Sequence, residues 1–405
     1  MAQLRVAIIG AGPAGLGAAI EFSKLPFVDW KLYEQATVLR EIGAGISIQP
    51  STWRLLEHLG AAANLQPADF YRPPDNHYVQ HRNGRTGELL VSHGQEAFPE
   101  VSSGVPKTQL HARTHRAKLQ QALIDEVDQS RVRLSSRLVS VVKKPSGKLL
   151  IEFQDGFKDE VDLVVGADGV RSVVRNFAFP DHQVGYIGRT SYRTIVTSDE
   201  IATVAGVPDA VTFWHGPHAW LYTCSLGDGK FEITTNTREP ASLKEKDFAP
   251  VVKSIVALPK EIKQYALFAG PRLDNIIAHG SVVLVGDASH RAGAGFALED
   301  VYVLARGIAW AHEQNLSLQE GIELFDQVRG PYYRKLYRIL DQFADADAHI
   351  SASNFGFDDT VQATVDSKWS KKYNWIAEYD IQKVLKEVLN SKGSYCSKIN
   401  QSPRL

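Results

Sequence analysis

Leu4-Arg5-Val6-Ala7-Ile8-Ile9-Gly10-Ala11-Gly12-Pro13-Ala14-Gly15 is the stretch whose reading decides the fold. The run up to Ile9 is mostly apolar and β-branched and is stopped by glycine, which predicts a short buried strand. Ala14 to Leu25 then predicts a helix with Leu16, Ala19, Ile20 and Phe22 on its apolar side. Gly10 permits the tight strand-to-helix turn, Gly12 lets the backbone approach a pyrophosphate, and Gly15 lets helix and strand pack closely. Ala14 opens the helix, whose free N–H groups and positive dipole end suit phosphate. Trp30-Lys31-Leu32-Tyr33 predicts the second strand. Glu34 falls at its end, where a carboxylate can accept from a ribose hydroxyl. A glycine turn before a helix is weak evidence alone; flanking strands and a spaced acid make it a dinucleotide-binding pattern.

Two further glycine-acid motifs extend the reading: Gly166-Ala167-Asp168-Gly169-Val170-Arg171-Ser172 and Gly286-Asp287-Ala288-Ser289-His290. Three motifs in this order predict one long cofactor, gripped at its adenosine, pyrophosphate and ribityl parts. FAD has that shape, and NAD does not need the last two grips.

Composition narrows the partners. The chain has 405 residues, 44% hydrophobic and 22% charged, ordinary usage for a globular protein of two or three domains. Its net charge is −1, from 45 basic against 46 acidic residues, which gives no electrostatic case for nucleic acid or an anionic membrane. Two cysteines, Cys224 and Cys396, make neither a disulfide framework nor a metal cluster, so no metal is expected. The amino end runs straight into a strand, and no apolar run approaches the length of a membrane span. A cytoplasmic location is the expectation.

The pattern changes along the chain. Residues 1–178 hold the first βαβ unit and the second motif, and residues 272–345 hold the third. Between them, 179–271 read as strands: Ser191–Val196, Ala210–Trp214, Ala219–Cys224 and Lys230–Thr235, separated by turns such as His215-Gly216-Pro217-His218 and Gly227-Asp228-Gly229. That predicts an antiparallel meander inserted into the α/β frame. Phe296 to about His349 predicts helix, and 346–405 a helical carboxyl-terminal segment.

On these residues the chain resembles the class A FAD-dependent aromatic hydroxylases, in the salicylate hydroxylase-like branch common in fungi. The resemblance rests on Val6–Leu16, Leu163–Ser172, Val285–His290, Gly293-Ala294-Gly295-Phe296-Ala297-Leu298-Glu299-Asp300 and Trp375–Asp380, and so covers nearly the whole chain. It implies an α/β fold: a Rossmann-type FAD-binding domain, an inserted antiparallel β-sheet carrying the substrate, and a helical carboxyl end. It also implies that Glu34 binds the adenosine ribose, Arg116 the pyrophosphate and Asp287 a ribityl hydroxyl. Gly286 and the Gly293-Ala294-Gly295 run would lie against the cofactor, and Asp168 behind the pyrophosphate. A guanidinium suits phosphate because it is a planar fork of donors. Plainer roles compete: Arg116 as a solvated helix arginine, Asp287 as a helix N-cap, Asp168 as a turn residue.

The implied activity is hydroxylation of a small phenolic or aromatic acid, salicylate-like, and decarboxylative where the substrate resembles salicylate, with NAD(P)H and O2 as co-substrates. Candidate groups near the substrate lie on the inserted sheet, with His215 and Tyr222 singled out; a lone histidine such as His215 is otherwise a satisfied loop residue. Alternation puts Trp214 and Phe213 on opposite faces and leaves open which face is the pocket. One departure stands out. Only Arg291 and Ala292 separate His290 from Gly293, where the family carries a longer segment with a proline and a glycine. The departure implies Arg291 near the flavin edge and poorly coupled turnover. It also keeps two alternatives in play: a flavoenzyme that oxidises or rearranges a natural product without hydroxylation, and a flavin-binding protein without turnover.

Overall fold

The computed structural model describes residues 3–39, 44–74, 77–94, 105–238, 247–290, 293–369 and 379–392. Its strands run in chain order as β1 (Leu4–Ile9), β2 (Val28–Tyr33), β3 (Gly45–Ile48), β4 (Phe70–Tyr71), β5 (His77–Asn83), β6 (Leu89–Gly94) and β7 (Ala112–His115). Then come β8 (Val132–Arg133), β9 (Leu138–Lys143), β10 (Leu149–Phe153), β11 (Lys158–Val161), β12 (Leu163–Gly166), β13 (Gly185–Thr197) and β14 (Thr212–His215). The last are β15 (Ala219–Gly227), β16 (Lys230–Arg238), β17 (Lys263–Ala269), β18 (Ile277–Ala278) and β19 (Val282–Leu284). The helices are α1 (Pro13–Ser23), α2 (Pro50–Leu59), α3 (Arg116–Ile124), α4 (Val173–Ala178) and α5 (Ser198–Ala202). They continue as α6 (Pro250–Ala257), α7 (Ala294–Glu313), α8 (Leu318–Ala352), α9 (Phe357–Lys368) and α10 (Ile381–Ser391).

β1 is central because both its faces are apolar; Val6, Ala7, Ile8 and Ile9 are all buried. It pairs in parallel with β2 on one side and β12 on the other, in a six-stranded sheet ordered β18-β19-β12-β1-β2-β8. α1 makes the crossover and is buried along nearly its whole length between this sheet and α7. The three strands that precede the glycine-acid motifs, β1, β12 and β19, are thereby neighbours with their carboxyl ends on one edge, where an open α/β sheet binds its ligand.

The expected helix from Phe296 is broken in two. Asn315 takes φ +56°, and Ser317 begins α8 with a capping box. The Glu320 carboxylate accepts from the Ser317 N–H at 2.8 Å and the Ser317 hydroxyl accepts from the Glu320 N–H at 3.3 Å. Further on, Tyr379 stacks on Tyr332 at 3.8 Å and Asp380 caps α10, tying the carboxyl end to α8. The rest of the Trp375–Asp380 match, residues 375–378, lies outside the described residues.

The inserted sheet is larger than the four-stranded meander legible in the sequence. It has seven strands, ordered β17-β13-β16-β15-β14-β5-β6, and two of them come from residues 77–94. β14 pairs with β5 in parallel, so the sheet is antiparallel apart from that one seam. One face carries Val196, Trp214, Leu221, Phe231 and Ile233 and is covered by Val252 and Ile255 of α6. The other carries Tyr222 and Cys224, with Phe213 and Trp220, and packs on Tyr71 of β4. β4 belongs to the small sheet β3-β7-β4, whose β7 and β4 both pack on β15. The Phe213 face therefore points inward. No described helix is long and apolar enough to cross a membrane.

Candidate FAD cradle and facing sheet

The three motif loops meet through backbone hydrogen bonds. Gly10 N–H donates to Tyr33 O at 2.8 Å, Ala167 N–H to Ile9 O at 2.9 Å, and Val285 N–H to Gly166 O at 3.0 Å. Gly10 takes φ +100°, and a Cβ there would fall 2.5 Å from Ala167 O, so the first turn must be glycine. A Cβ on Gly15 would fall 1.8 Å from Gly10 O. At Gly12 an added Cβ meets nothing within 4 Å. That open side of a glycine loop, at the start of α1, is the cradle a pyrophosphate needs. The third motif closes on the first: a Cβ on Gly286 would lie 3.1 Å from Ala14.

Around this cradle stand the sequence candidates. The Glu34 carboxylate sits at the β2 end and accepts from Ala11 N–H at 2.7 Å and Ala36 N–H at 2.8 Å, so it is fixed beside the glycine loop. Arg116 is the first residue of α3, held there by its N–H on Ala44 O at 2.9 Å. One turn on, the buried Gln120 amide donates to Ala11 O at 3.3 Å, which brings the same helix face to the loop. Gln120 was legible only as the i+4 partner of Arg116.

Asp287 is exposed within the short 3-10 turn Gly286–Ala288. Ser172 is the N-cap of α4, and the Asp168 carboxylate supports it, accepting from the Ser172 hydroxyl at 2.5 Å and from Val173 N–H at 2.7 Å. Burial raises its carboxyl above the ordinary value, although these donors oppose the shift. Gly293 is the N-cap of α7 at φ +97°, Ala294 is the first helical residue, and Gly295 lies against Thr52 of α2. Arg291 lies outside the described residues.

Beneath the third motif is a buried charged cluster that the sequence did not disclose. Asp300 of α7 accepts from Gly286 N–H at 3.0 Å and lies 2.9 Å from His290 Nε2 through one oxygen. Its other oxygen accepts from Arg329 Nε at 2.8 Å and from the Tyr333 hydroxyl. Arg329 also donates to Glu299 at 2.8 Å. Burial alone would raise Asp300, yet His290 and Arg329 bring it down to about 2. Glu299 is pushed up to about 7 by burial, which Arg329 only partly opposes.

The inner face of the inserted sheet holds the other candidates. Tyr222 is buried, with its ring 4.8 Å from Phe213 and the Arg113 guanidinium 5.1 Å from its centroid. Burial pushes the phenol well above its ordinary range, so at neutral pH Tyr222 is a hydroxyl donor rather than a base. His215 is also buried. Its Nε2 is 2.9 Å from His81 Nδ1, and Trp369 stacks on His81 at 4.7 Å. Burial and Lys368 lower His215 to about 4, and burial and His215 lower His81 to about 2. Both imidazoles are neutral at neutral pH. Among the described residues no group of three or more His, Cys, Asp or Glu is placed to hold a metal ion.

A glycine loop at the carboxyl edge of a parallel sheet, with the Glu34 carboxylate fixed beside it, is the geometry of a dinucleotide site. The FAD binding domain family matches residues 3–316, and the chain belongs to it. Within that family it groups with the FAD-dependent aromatic monooxygenases, and its cofactor is FAD. Among its relatives is 3-amino-4-hydroxybenzoate 2-monooxygenase PtmB3 of Streptomyces platensis, 28% identical over 360 residues, 82% of this chain and 86% of that protein. Another is salicylate hydroxylase of Pseudomonas putida, 26% identical over 401 residues, 86% of this chain and 88% of that protein. In fold it is similar to the substrate complex of salicylate hydroxylase, with TM-score 0.74 at 20% identity, covering 95% of this chain and 98% of that chain. Klebsiella pneumoniae HpxO complexed with FAD and uric acid gives TM-score 0.71 at 21% identity, covering 96% of each chain.

Two tests of the cradle arise here. Glu34→Ala and Asp287→Ala are each expected to weaken FAD binding by about 1.5–3 kcal/mol, since each removes a charged acceptor. Titration of apoprotein with FAD, followed by flavin fluorescence, reads this directly; unchanged affinity in both variants would misplace the cofactor. Arg116→Lys should bind FAD less tightly than wild type and more tightly than Arg116→Ala, because lysine keeps the charge and loses the fork. Equal affinity across the three would make Arg116 a surface residue.

Proposed function

We propose that this protein uses NAD(P)H and O2 to hydroxylate a small phenolic or aromatic acid, salicylate-like, with loss of the ring carboxylate where the hydroxyl enters at that carbon. The observation that carries the reading is the inner wall of the inserted sheet. Tyr222, Phe213 and Trp220 form an aromatic row on the sheet face that meets β4 and β7, and Tyr222 is a buried neutral hydroxyl. Bound FAD supplies the redox chemistry that activates O2.

The chain's own residues do the rest. Gly10, Gly12, Ala14, Gly15, Glu34, Arg116, Asp168, Gly286, Asp287 and the Gly293-Ala294-Gly295 run are the proposed cofactor contacts. Tyr222 would orient a substrate oxygen by donating to it. His215 would serve at the far end of the row as a neutral acceptor, paired with His81 at 2.9 Å. The aromatic wall excludes water from the ring.

A second reading, oxidation or rearrangement without hydroxylation, is favoured by one feature: the two-residue spacing Arg291-Ala292 between His290 and Gly293. Aerobic NAD(P)H consumption with and without a panel of hydroxybenzoates separates the two. Substrate-stimulated consumption with an oxygenated product supports hydroxylation, and a product without inserted oxygen supports the second reading. The short spacing between His290 and Gly293 is also expected to lower coupling. The ratio of hydroxylated product to NAD(P)H should fall well below one, with the balance as hydrogen peroxide, and lengthening the segment should raise it. A ratio near one in the unaltered chain would defeat that expectation.

A further inference from the structure

Glu299 and Asp300 are neighbouring acids that share one guanidinium out of water. The side chains of Arg329 and Asp300 are 0% exposed, and that of Glu299 is 2% exposed. One fixed cation does not neutralise two buried carboxylates, so one acid must hold its proton more tightly than usual. Asp300 is the better supplied, with Gly286 N–H, the Tyr333 hydroxyl and His290 Nε2 around it as well as Arg329. Among the described residues Glu299 has Arg329 alone as a hydrogen-bond donor, at 2.8 Å. Glu299 is therefore the acid that keeps its proton, and burial pushes its carboxyl up to about 7. The other groups facing it leave that balance in place. Tyr332 and Tyr333 come from α8 and Tyr379 from the segment before α10; burial raises all three phenols, which stay neutral. Arg54 comes from α2 and is taken up by Asp380 at 3.7 Å and by Tyr379 O at 2.9 Å. Further along α7, Glu21 forms its own group with Arg306 at 2.6 Å, His58 at 2.8 Å and Lys24 at 3.2 Å.

We infer that Glu299 is a positioning residue that makes FAD binding depend on pH, acting on the third motif through Arg329 and Asp300. Asp300 is the link. It holds Gly286 N–H at 3.0 Å, and a Cβ on Gly286 would lie 3.1 Å from Ala14 of the glycine loop. The acid cluster is thus one hydrogen bond from the third motif, and the motif is in contact with the cradle. With Glu299 protonated, Arg329 and Asp300 form a balanced pair. Once Glu299 ionises, the cluster carries one negative charge in excess, in a buried site that salt and solvent screen little. FAD brings two ionised phosphates to the cradle, so it binds the protonated form better. By linkage, bound FAD makes the Glu299 proton harder to remove. Affinity is therefore highest at acid pH and falls as pH rises through about 7. The inference rests on the third motif lying against FAD and goes beyond it, because it names the group that couples binding to a proton.

The test is FAD titration of the full-length apoprotein at pH 6 and pH 8, followed by flavin fluorescence, so turnover is not required. The unaltered chain should bind about fivefold more weakly at pH 8, the fall expected if bound FAD makes the Glu299 proton about tenfold harder to remove. Glu299→Gln imitates the protonated acid at every pH and keeps an acceptor for Arg329. It should bind as the unaltered chain does at pH 6 and lose the fall. A merely structural role would instead weaken the variant at both pH values, and that result overturns the inference. A second measurement needs no variant and decides the matter should Glu299→Gln fail to fold. Calorimetry of FAD binding at pH 7, in two buffers of different ionisation enthalpy, should show net proton uptake by the unaltered chain. A pH dependence that survives in Glu299→Gln, or an unaltered chain that takes up no proton, overturns the inference and leaves FAD as the cofactor. If the apoprotein binds FAD at neither pH, both fall.

Discussion

Arg329→Met is expected to destabilise the protein by about 3–5 kcal/mol, because it leaves two buried carboxylates without their cation. Arg329, Glu299 and Asp300 are all buried, and Arg329 bonds both acids at 2.8 Å. Methionine fills much of the volume, so the loss is electrostatic more than a cavity.

The effect should also depend on pH. Asp300, depressed to about 2, contributes stability that is present above its ordinary value and lost as pH falls through about 2. Glu299, raised to about 7, binds a proton in the folded state that the unfolded chain has already released. Its contribution therefore falls as pH rises from the ordinary carboxylate range through about 7. Without Arg329 both carboxyls hold protons more tightly, so the variant's deficit should be larger at pH 8 than at pH 5. Urea unfolding at the two pH values measures it. A deficit near zero at pH 8, or one independent of pH, would show that the cluster is not a working ion network. The consequence reaches the cofactor, since Asp300 also holds Gly286 N–H and His290 at the third motif.

What was legible in the sequence was local. The turn at Gly10–Gly15 and the acid at Glu34 read correctly as a βαβ unit because their constraints span only neighbouring elements. Ser317-Leu318-Gln319-Glu320 is a capping-box pattern that places the break between α7 and α8. The hairpin β5–β6 had a signal as well, Asn83-Gly84 at its turn, but its strands mix polar and apolar residues too evenly to stand out.

The contacts on the inner face of the inserted sheet were not legible, because they join residues distant in sequence. Arg113 and Glu232 are 119 residues apart, and His81 and His215 are 134 apart. Neither pair carries a spacing rule, and each residue alone reads as an ordinary polar side chain. Alternation separated Phe213 from Trp214 but could not say which was inward. That followed from α6 covering one face and β4 the other.

The glycine loop offers a test that separates cofactor binding from folding. Gly15→Ala places a methyl 1.8 Å from Gly10 O, a backbone atom that cannot swing aside, so α1 must lift from β1. Overpacking of that kind costs about 1–3 kcal/mol or more, and the apoprotein itself should melt earlier. Gly12→Ala differs, because its new methyl meets no protein atom within 4 Å. The apoprotein should keep its melting temperature. If the open side of Gly12 is where the pyrophosphate lies, the methyl occupies the space the phosphate needs, and FAD affinity should fall by at least about tenfold.

The two measurements are thermal unfolding of apoprotein and FAD titration, made on both variants. Loss of FAD with an unmoved apoprotein melt in Gly12→Ala, beside a lowered melt in Gly15→Ala, is the expected pair. Gly12→Ala that binds FAD as wild type would move the pyrophosphate away from this loop. It would also remove the reason for reading Glu34 and Asp287 as the two ends of one cofactor.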